Sequence, residues 1–209
     1  MSALIETIMT TRLIGIIRLK RYHHPVEIAR ALVEGGIKAL EFTLSGEGAL
    51  ESITAARQAL ERDIHVGAGT VLSPEDVAKA CDAGAEFVVT PSFDPQVVVA
   101  CERADLPIVC GAFTPTEMMN ALLAGADLIK LFPARLGGPQ YVRDLLAPYP
   151  NLRLVPTGGV SADNAADYLK AGAVAVAIGG KLVSQEDVDD ERYFEITRRA
   201  TACVQAVSN

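Results

Sequence analysis

Short apolar runs rich in β-branched residues alternate with longer amphipathic stretches from one end of the chain to the other. Leu13 to Leu19, Lys38 to Thr43, Ile64 to Ala68, Glu86 to Thr90, Pro107 to Cys110, Leu128 to Phe132, Leu152 to Val155 and Val174 to Ile178 read as eight strands. Between them lie helical patterns with clear starts. Pro25 stands at the first turn of a helix reaching Glu34, and further helices cover Ala49 to Leu60, Pro139 to Leu146, Ser161 to Lys170 and Glu191 to Val207. Ser73-Pro74-Glu75-Asp76, Asp94-Pro95 and Thr114-Pro115-Thr116-Glu117 each place a capping side chain directly before a proline, which opens three more.

A weak internal echo supports this count. Glu34-Gly35-Gly36, Asp82-Ala83-Gly84-Ala85, Leu123-Ala124-Gly125-Ala126 and Lys170-Ala171-Gly172-Ala173 each close a helix with glycine ahead of an even-numbered strand. Eight strands alternating with helices in right-handed crossovers close most naturally into a (β/α)8 TIM barrel, here with an extra N-terminal helix over residues 1–11. The 209 residues are short for that fold, so the loops must be tight. No linker or low-complexity stretch divides the chain, which reads as one α/β domain over 1–209. An open doubly wound sheet is the alternative, but no G-x-G-x-x-G follows the first strand.

Composition narrows the partners. Half the residues are hydrophobic, ample for a buried core, and the net charge is -7. An acidic surface argues against nucleic acid or an anionic membrane as partner. No apolar run reaches the roughly 18 residues of a membrane span, and the N-terminus lacks the order of a signal peptide. The four cysteines are scattered without C-x-x-C spacing, so they read as reduced residues of a cytoplasmic protein. His23 and His24 precede Pro25 in a loop with no ligand at metal spacing, and no metal site is expected.

One stretch carries a residue that is costly where it stands. In Leu128-Ile129-Lys130-Leu131-Phe132, strand alternation puts Lys130 on the same face as Leu128 and Phe132, directed into the fold. Burial favours the neutral amine, and a neutral amine is a nucleophile towards carbonyls. A lysine snorkelling at a strand end is the plainer reading. Moving a lysine pKa from about 10.4 to about 7 takes roughly 4 to 5 kcal/mol.

In this fold chemistry sits at the carboxyl ends of the strands. Those ends carry Arg18, Glu41 with Thr43, Gly67 to Thr70, Thr90-Pro91, Gly111, Lys130 with Phe132, Thr157-Gly158-Gly159 and Gly179-Gly180-Lys181. Glu41 and Thr43 share one strand face, and a buried ion pair adds little net stability, so Glu41, Lys130 and Arg18 together suggest use. Arg18 also disfavours the charged form of Lys130. The glycine pairs after the seventh and eighth strands, with Thr157 and Lys181, have the position and backbone access of a barrel phosphate site.

The motifs Glu41-Phe42-Thr43-Leu44, Gly67-Ala68-Gly69-Thr70-Val71-Leu72, Thr90-Pro91, Thr114 to Glu117, Leu128 to Ala134, Gly137-Gly138-Pro139-Gln140, Pro156 to Val160 and Gly179-Gly180 resemble, in order and over almost the whole chain, the 2-keto-3-deoxy-6-phosphogluconate (KDPG) aldolases. That family includes 4-hydroxy-2-oxoglutarate (KHG) aldolases. The resemblance implies a class I lyase that needs no metal and no cofactor, acting on pyruvate and a short, phosphorylated aldehyde, and assembled as a homotrimer. By position, Lys130 would form the Schiff base and Glu41 would shuttle protons. Thr70 would bind the pyruvate carboxylate, Pro91 and Phe132 would line the pocket, and Gly158, Gly159, Gly179 and Gly180 would hold the phosphate.

Two positions depart from the family pattern. Many members carry an arginine where this chain has Ser45-Gly46, so Arg18 is expected to take the carboxylate contact. Many have serine where this chain has Lys181, a change compatible with phosphate. Two rival readings remain at this stage. A phosphosugar isomerase or epimerase barrel would form no covalent pyruvate adduct, and a barrel kept as a binding module would tolerate loss of Lys130 and Glu41.

Overall fold

The structure is a computed structural model that describes residues 2–208. The eight strands are β1 (Leu13–Ile17), β2 (Ala39–Thr43), β3 (His65–Gly69), β4 (Val88–Val89), β5 (Ile108–Ala112), β6 (Leu128–Leu131), β7 (Leu154–Pro156) and β8 (Val176–Ile178). The helices are α1 (Ala3–Thr11), α2 (Pro25–Glu34), α3 (Ala49–Ala59), α4 (Pro74–Asp82), α5 (Pro95–Arg103), α6 (Pro115–Leu123), α7 (Gly138–Leu146), α8 (Ala165–Lys170), α9 (Gln185–Asp189) and α10 (Tyr193–Ser208), with a 3-10 turn at Ala134–Leu136. All strand pairs are parallel, in the order β7-β6-β5-β4-β3-β2-β1-β8. A single bridge between Thr157 and Ala177 joins the two ends, so the sheet is a barrel with one thin seam. The sequence expectation of a (β/α)8 barrel with an N-terminal helix holds; of the expected helical span 1–11, Met1 lies outside the described residues.

The helix starts are built as their sequences dictate. Ser73, Asp94 and Thr114 accept hydrogen bonds from the backbone of Asp76, Gln96 and Glu117, and Thr114 with Glu117 completes a capping box. Gly36, Gly84, Gly125 and Gly172, the four repeated helix ends, all have positive φ. Strand alternation sorts the barrel into two cores. Ile14, Ile16, Ala39, Phe87, Val89, Val109, Leu128, Val155, Ala175 and Ala177 fill the interior, while their neighbours Leu40, Phe42, Ile129, Leu131 and Leu154 pack outward against the helices. Leu4, Ile5 and Ile8 of α1 join the inner cluster, so α1 plugs one end of the barrel. The other end, where the strands finish, is left for polar residues.

Strand limits differ modestly from the sequence reading. β4 keeps only Val88–Val89 of the expected five residues, and β7 starts at Leu154 rather than Leu152. Glu86 donates its backbone N–H to Val66 O, while its carboxylate accepts from Val66 N and meets His65. The short α9 and the 3-10 turn lie in stretches where the sequence marks no element, because neither is long enough to show a helical period.

Candidate active site

Among the described residues, Lys130 and Glu41 are the charged pair buried in the barrel interior, at 2% and 0% exposure. β6 carries Lys130 inward because its neighbours Ile129 and Leu131 face the helices, as the alternating pattern requires. The amine lies 5.3 Å from the centroid of the Phe132 ring. Burial pulls the lysine pKa down, the carboxylate of Glu41 pulls it up, and the guanidinium of Arg18 lowers it further. Glu41 shows the mirror case. Burial raises its pKa, and the cations of Lys130 and Arg18 only partly offset that. Both side chains are therefore held toward their neutral forms.

Neither carboxyl oxygen of Glu41 has a hydrogen-bond partner. A buried, unsatisfied carboxyl costs stability, and such groups persist where they are used. Room for it comes from β3, where an added Cβ on Gly69 would lie 1.8 Å from Glu41 Oε1. The glycines of Gly67-Ala68-Gly69 thus serve the interior: Gly67 clears the Phe87 ring and Gly69 clears the acid.

Around the open end, one cavity of about 240 Å³ is lined by Ile16, Arg18, Phe132, Thr157 to Val160, Ala177 and Gly179 to Lys181. Eight residues singled out in the sequence therefore meet in one place: Arg18, Phe132, Thr157, Gly158, Gly159, Gly179, Gly180 and Lys181. Gly158 and Gly159 both have positive φ, at 87° and 88°. A side chain on Gly158 would meet the Phe132 ring at 3.0 Å. Asn164 braces this turn by donating to Gly159 O at 3.0 Å and accepting from Ser161 N at 2.9 Å. Lys181 is exposed at the rim.

Thr70 and Pro91 do not line that cavity; they lie across the opening, after β3 and β4. Thr70 has φ of 58°, a backbone conformation that a β-branched residue adopts only under strain. Pro91 packs on β5, where a Cβ on Gly111 would come within 2.2 Å of its carbonyl carbon. The sequence reading did not single out Ile16 and Ala177, which also line the cavity. Counting two residues back from Arg18 and Gly179 along their strands would have found them.

The family model for "KDPG and KHG aldolase" matches residues 4–199. The chain is 36% identical over 208 residues to the 2-dehydro-3-deoxy-phosphogluconate aldolase of Treponema pallidum, covering 99% of each protein. It superimposes on the KDPG aldolase of Legionella pneumophila, captured with pyruvate as a covalent carbinolamine intermediate, with a TM-score of 0.89 and 26% identity over 97% of this chain and 98% of that one. The corresponding figures for the Zymomonas mobilis ZM4 enzyme with 3-phosphoglycerate are 0.82 and 27%, over 96% of this chain and 94% of that one. Fold, motif order and similarity over nearly the full length agree, and this chain belongs to the KDPG and KHG aldolase family.

Proposed function

We propose that the chain, acting over 1–209 as one aldolase domain, is a class I lyase that reversibly cleaves KDPG to pyruvate and glyceraldehyde 3-phosphate. KHG, giving pyruvate and glyoxylate, is its second substrate. The observation that carries this reading is a buried lysine amine, electrostatically coupled to an unpartnered buried carboxyl, whose neighbours Phe132 and Arg18 also line the glycine-rich cavity. Family membership supplies the substrate class.

Lys130 attacks the C2 carbonyl in its neutral form, which burial favours. Glu41 gives a proton to the departing carbinolamine hydroxyl, leaving an iminium ion and a carboxylate. In cleavage that carboxylate takes the C4 hydroxyl proton, the C3–C4 bond breaks, and the electron pair rests as an enamine on the iminium. Glu41 then returns a proton to C3, and water releases pyruvate and the free amine. A group that must give and take protons in turn works best with its pKa near the working pH, and burial moves Glu41 that way.

Arg18 and Thr70 bind the pyruvate carboxylate, with Pro91 and Phe132 walling the reacting carbons. Thr157, Gly158, Gly159, Gly179, Gly180 and Lys181 hold the aldehyde's phosphate. Eight of these ten residues, all but Thr70 and Pro91, line one cavity, and its amide-rich glycine turns suit an anion. The enzyme is a homotrimer in the cytoplasm, a reading supported by the family pattern, and no described helix is long and apolar enough to cross a membrane.

The test is an aldehyde screen. Pyruvate condensation with phosphorylated and unphosphorylated aldehydes of equal length should favour the phosphorylated one, and Lys181→Ala should shrink that preference roughly tenfold through loss of a charge-assisted contact. Equal rates with both aldehydes would remove the phosphate assignment.

A further inference from the structure

The phenol of Tyr22 reaches from the loop after β1 into the point where β1 and β2 separate. It is 9% exposed, and its ring rests on Phe42 at a centroid distance of 5.6 Å. The hydroxyl lies 2.8 Å from Ile17 O and 3.0 Å from Thr43 O as donor, accepts from Thr43 N at 3.0 Å, and lies 3.2 Å from Thr43 Oγ1. The regular β1–β2 register ends at Ile17 and Phe42, so this hydroxyl satisfies the first backbone groups beyond the ladder. A phenol has one proton to donate and two lone pairs, all of which these partners can use.

The loops on either side are shaped to admit the ring. An added Cβ on Gly46 would come within 2.3 Å of Leu19 O and 2.6 Å of Tyr22 Cε2. Backbone bonds from Tyr22 N to Glu47 O and from Glu47 N to Lys20 O tie the loop after β1 to the loop after β2. Ile17 immediately precedes Arg18, and Thr43 lies two residues beyond Glu41 on the same strand face. Glu41 itself makes no hydrogen bond through either oxygen. Its carboxyl is placed by the course of β2 and by packing, so whatever fixes the end of β2 fixes the acid.

We propose that Tyr22 is a positioning residue for Glu41, its hydroxyl clamping the diverging ends of β1 and β2 so that the carboxyl and Arg18 keep their places around the lysine amine. The inference rests on the reading of Glu41 as the proton shuttle. Tyr22 touches no reacting atom in this account; it acts through the backbone of Thr43.

The experiment compares the parent, Tyr22→Phe, Thr43→Val and a distant core variant, Val98→Ala on α5, in kcat, KM, the pH dependence of kcat and melting temperature. Tyr22→Phe is expected to lower kcat about tenfold to 100-fold, the size of effect that a misplaced catalytic group produces. KM for the keto acid should change little, and the limb of the pH profile governed by Glu41 should shift. Thr43→Val, which keeps the backbone donor, should give a smaller change in the same direction, and it carries the test if Tyr22→Phe does not fold. Val98→Ala should lose as much melting temperature while keeping parental kcat. Parental kcat and pH profile in Tyr22→Phe, or a loss of kcat in Val98→Ala that tracks its melting temperature equally, would overturn the proposal. Borohydride trapping of pyruvate by the parent separates the two levels. Without an adduct the lyase reading falls and takes this role with it. With an adduct, an unaffected Tyr22→Phe removes the role of Tyr22 alone.

Discussion

The carboxyl group of Glu41 occupies the space that a side chain on Gly69 would fill: an added Cβ would lie 1.8 Å from Oε1 and 2.4 Å from Cδ. Gly69 lies on β3 outside the positive-φ region, so alanine suits the backbone, and the three atoms nearest the added Cβ all belong to the acid. Gly69→Ala should therefore fold, at a cost of about 1–3 kcal/mol for overpacking, and should lose about 100-fold or more in kcat as the acid is displaced. Thermal melting and pyruvate release from KDPG measure the two effects. Near-parental turnover would mean that the acid can work from elsewhere.

Lys130 is costly to the fold. Its folded-state pKa lies below the unfolded value of about 10.4, so between the two values the unfolded chain binds more protons, and the cost of burying the amine is full below the lower value and falls as pH rises toward the higher one. Lys130→Met removes the amine and keeps the volume. It should melt at the same or a higher temperature than the parent, with the advantage larger at pH 7 than at pH 10, and it should show no lyase activity. A melting temperature well below the parent's at neutral pH would contradict the assignment of a strained, functional amine.

Thr70 stands in a left-handed conformation that suits glycine better. Thr70→Gly should relieve roughly 1–2 kcal/mol of that strain, part of which the extra backbone entropy of glycine in the unfolded chain takes back. It should raise KM for pyruvate about tenfold, the loss expected when one polar contact disappears. Unchanged KM would show that Thr70 does not touch the carboxylate.

Asp187, a structural carboxylate, stabilises the fold in its charged form. Burial alone would raise the Asp187 pKa, but the hydroxyl of Ser184 and the guanidiniums of Arg199 and Arg192 outweigh it and leave the group below its usual range. Its contribution is present above the unfolded value of about 3.9 and is lost as pH falls through the lower folded value. Asp187→Asn should cost about 1–3 kcal/mol at pH 7, and the gap from the parent should close progressively below about pH 4. A gap independent of pH would assign the effect to packing.

The alternation of Leu128-Ile129-Lys130-Leu131-Phe132 predicts which way the lysine points, and the structure places its flanking residues in the outer core as expected. The cap-and-proline triplets likewise predict where α4, α5 and α6 begin, because those signals are local. Tyr22 is different. Nothing in Arg21-Tyr22-His23 marks it, since its partners Ile17 and Thr43, 5 and 21 residues away, lie on two strands brought together only by the barrel's register. The Gly69–Glu41 fit is illegible for the same reason: it depends on how β2 and β3 stack around a closed ring. Thr70 and Pro91 sit at strand ends as expected, yet which residues share a cavity with Arg18 follows from the barrel's curvature, not from order along the chain.

The most direct measurement treats the protein with pyruvate and borohydride and maps the modified peptide by mass spectrometry. One reduced pyruvate on Lys130, formed faster as pH rises through the amine's lowered pKa and slowed in Glu41→Gln, is the expected result. Protein that remains unmodified under saturating pyruvate, or modification spread over surface lysines such as Lys20 and Lys79, would contradict the account.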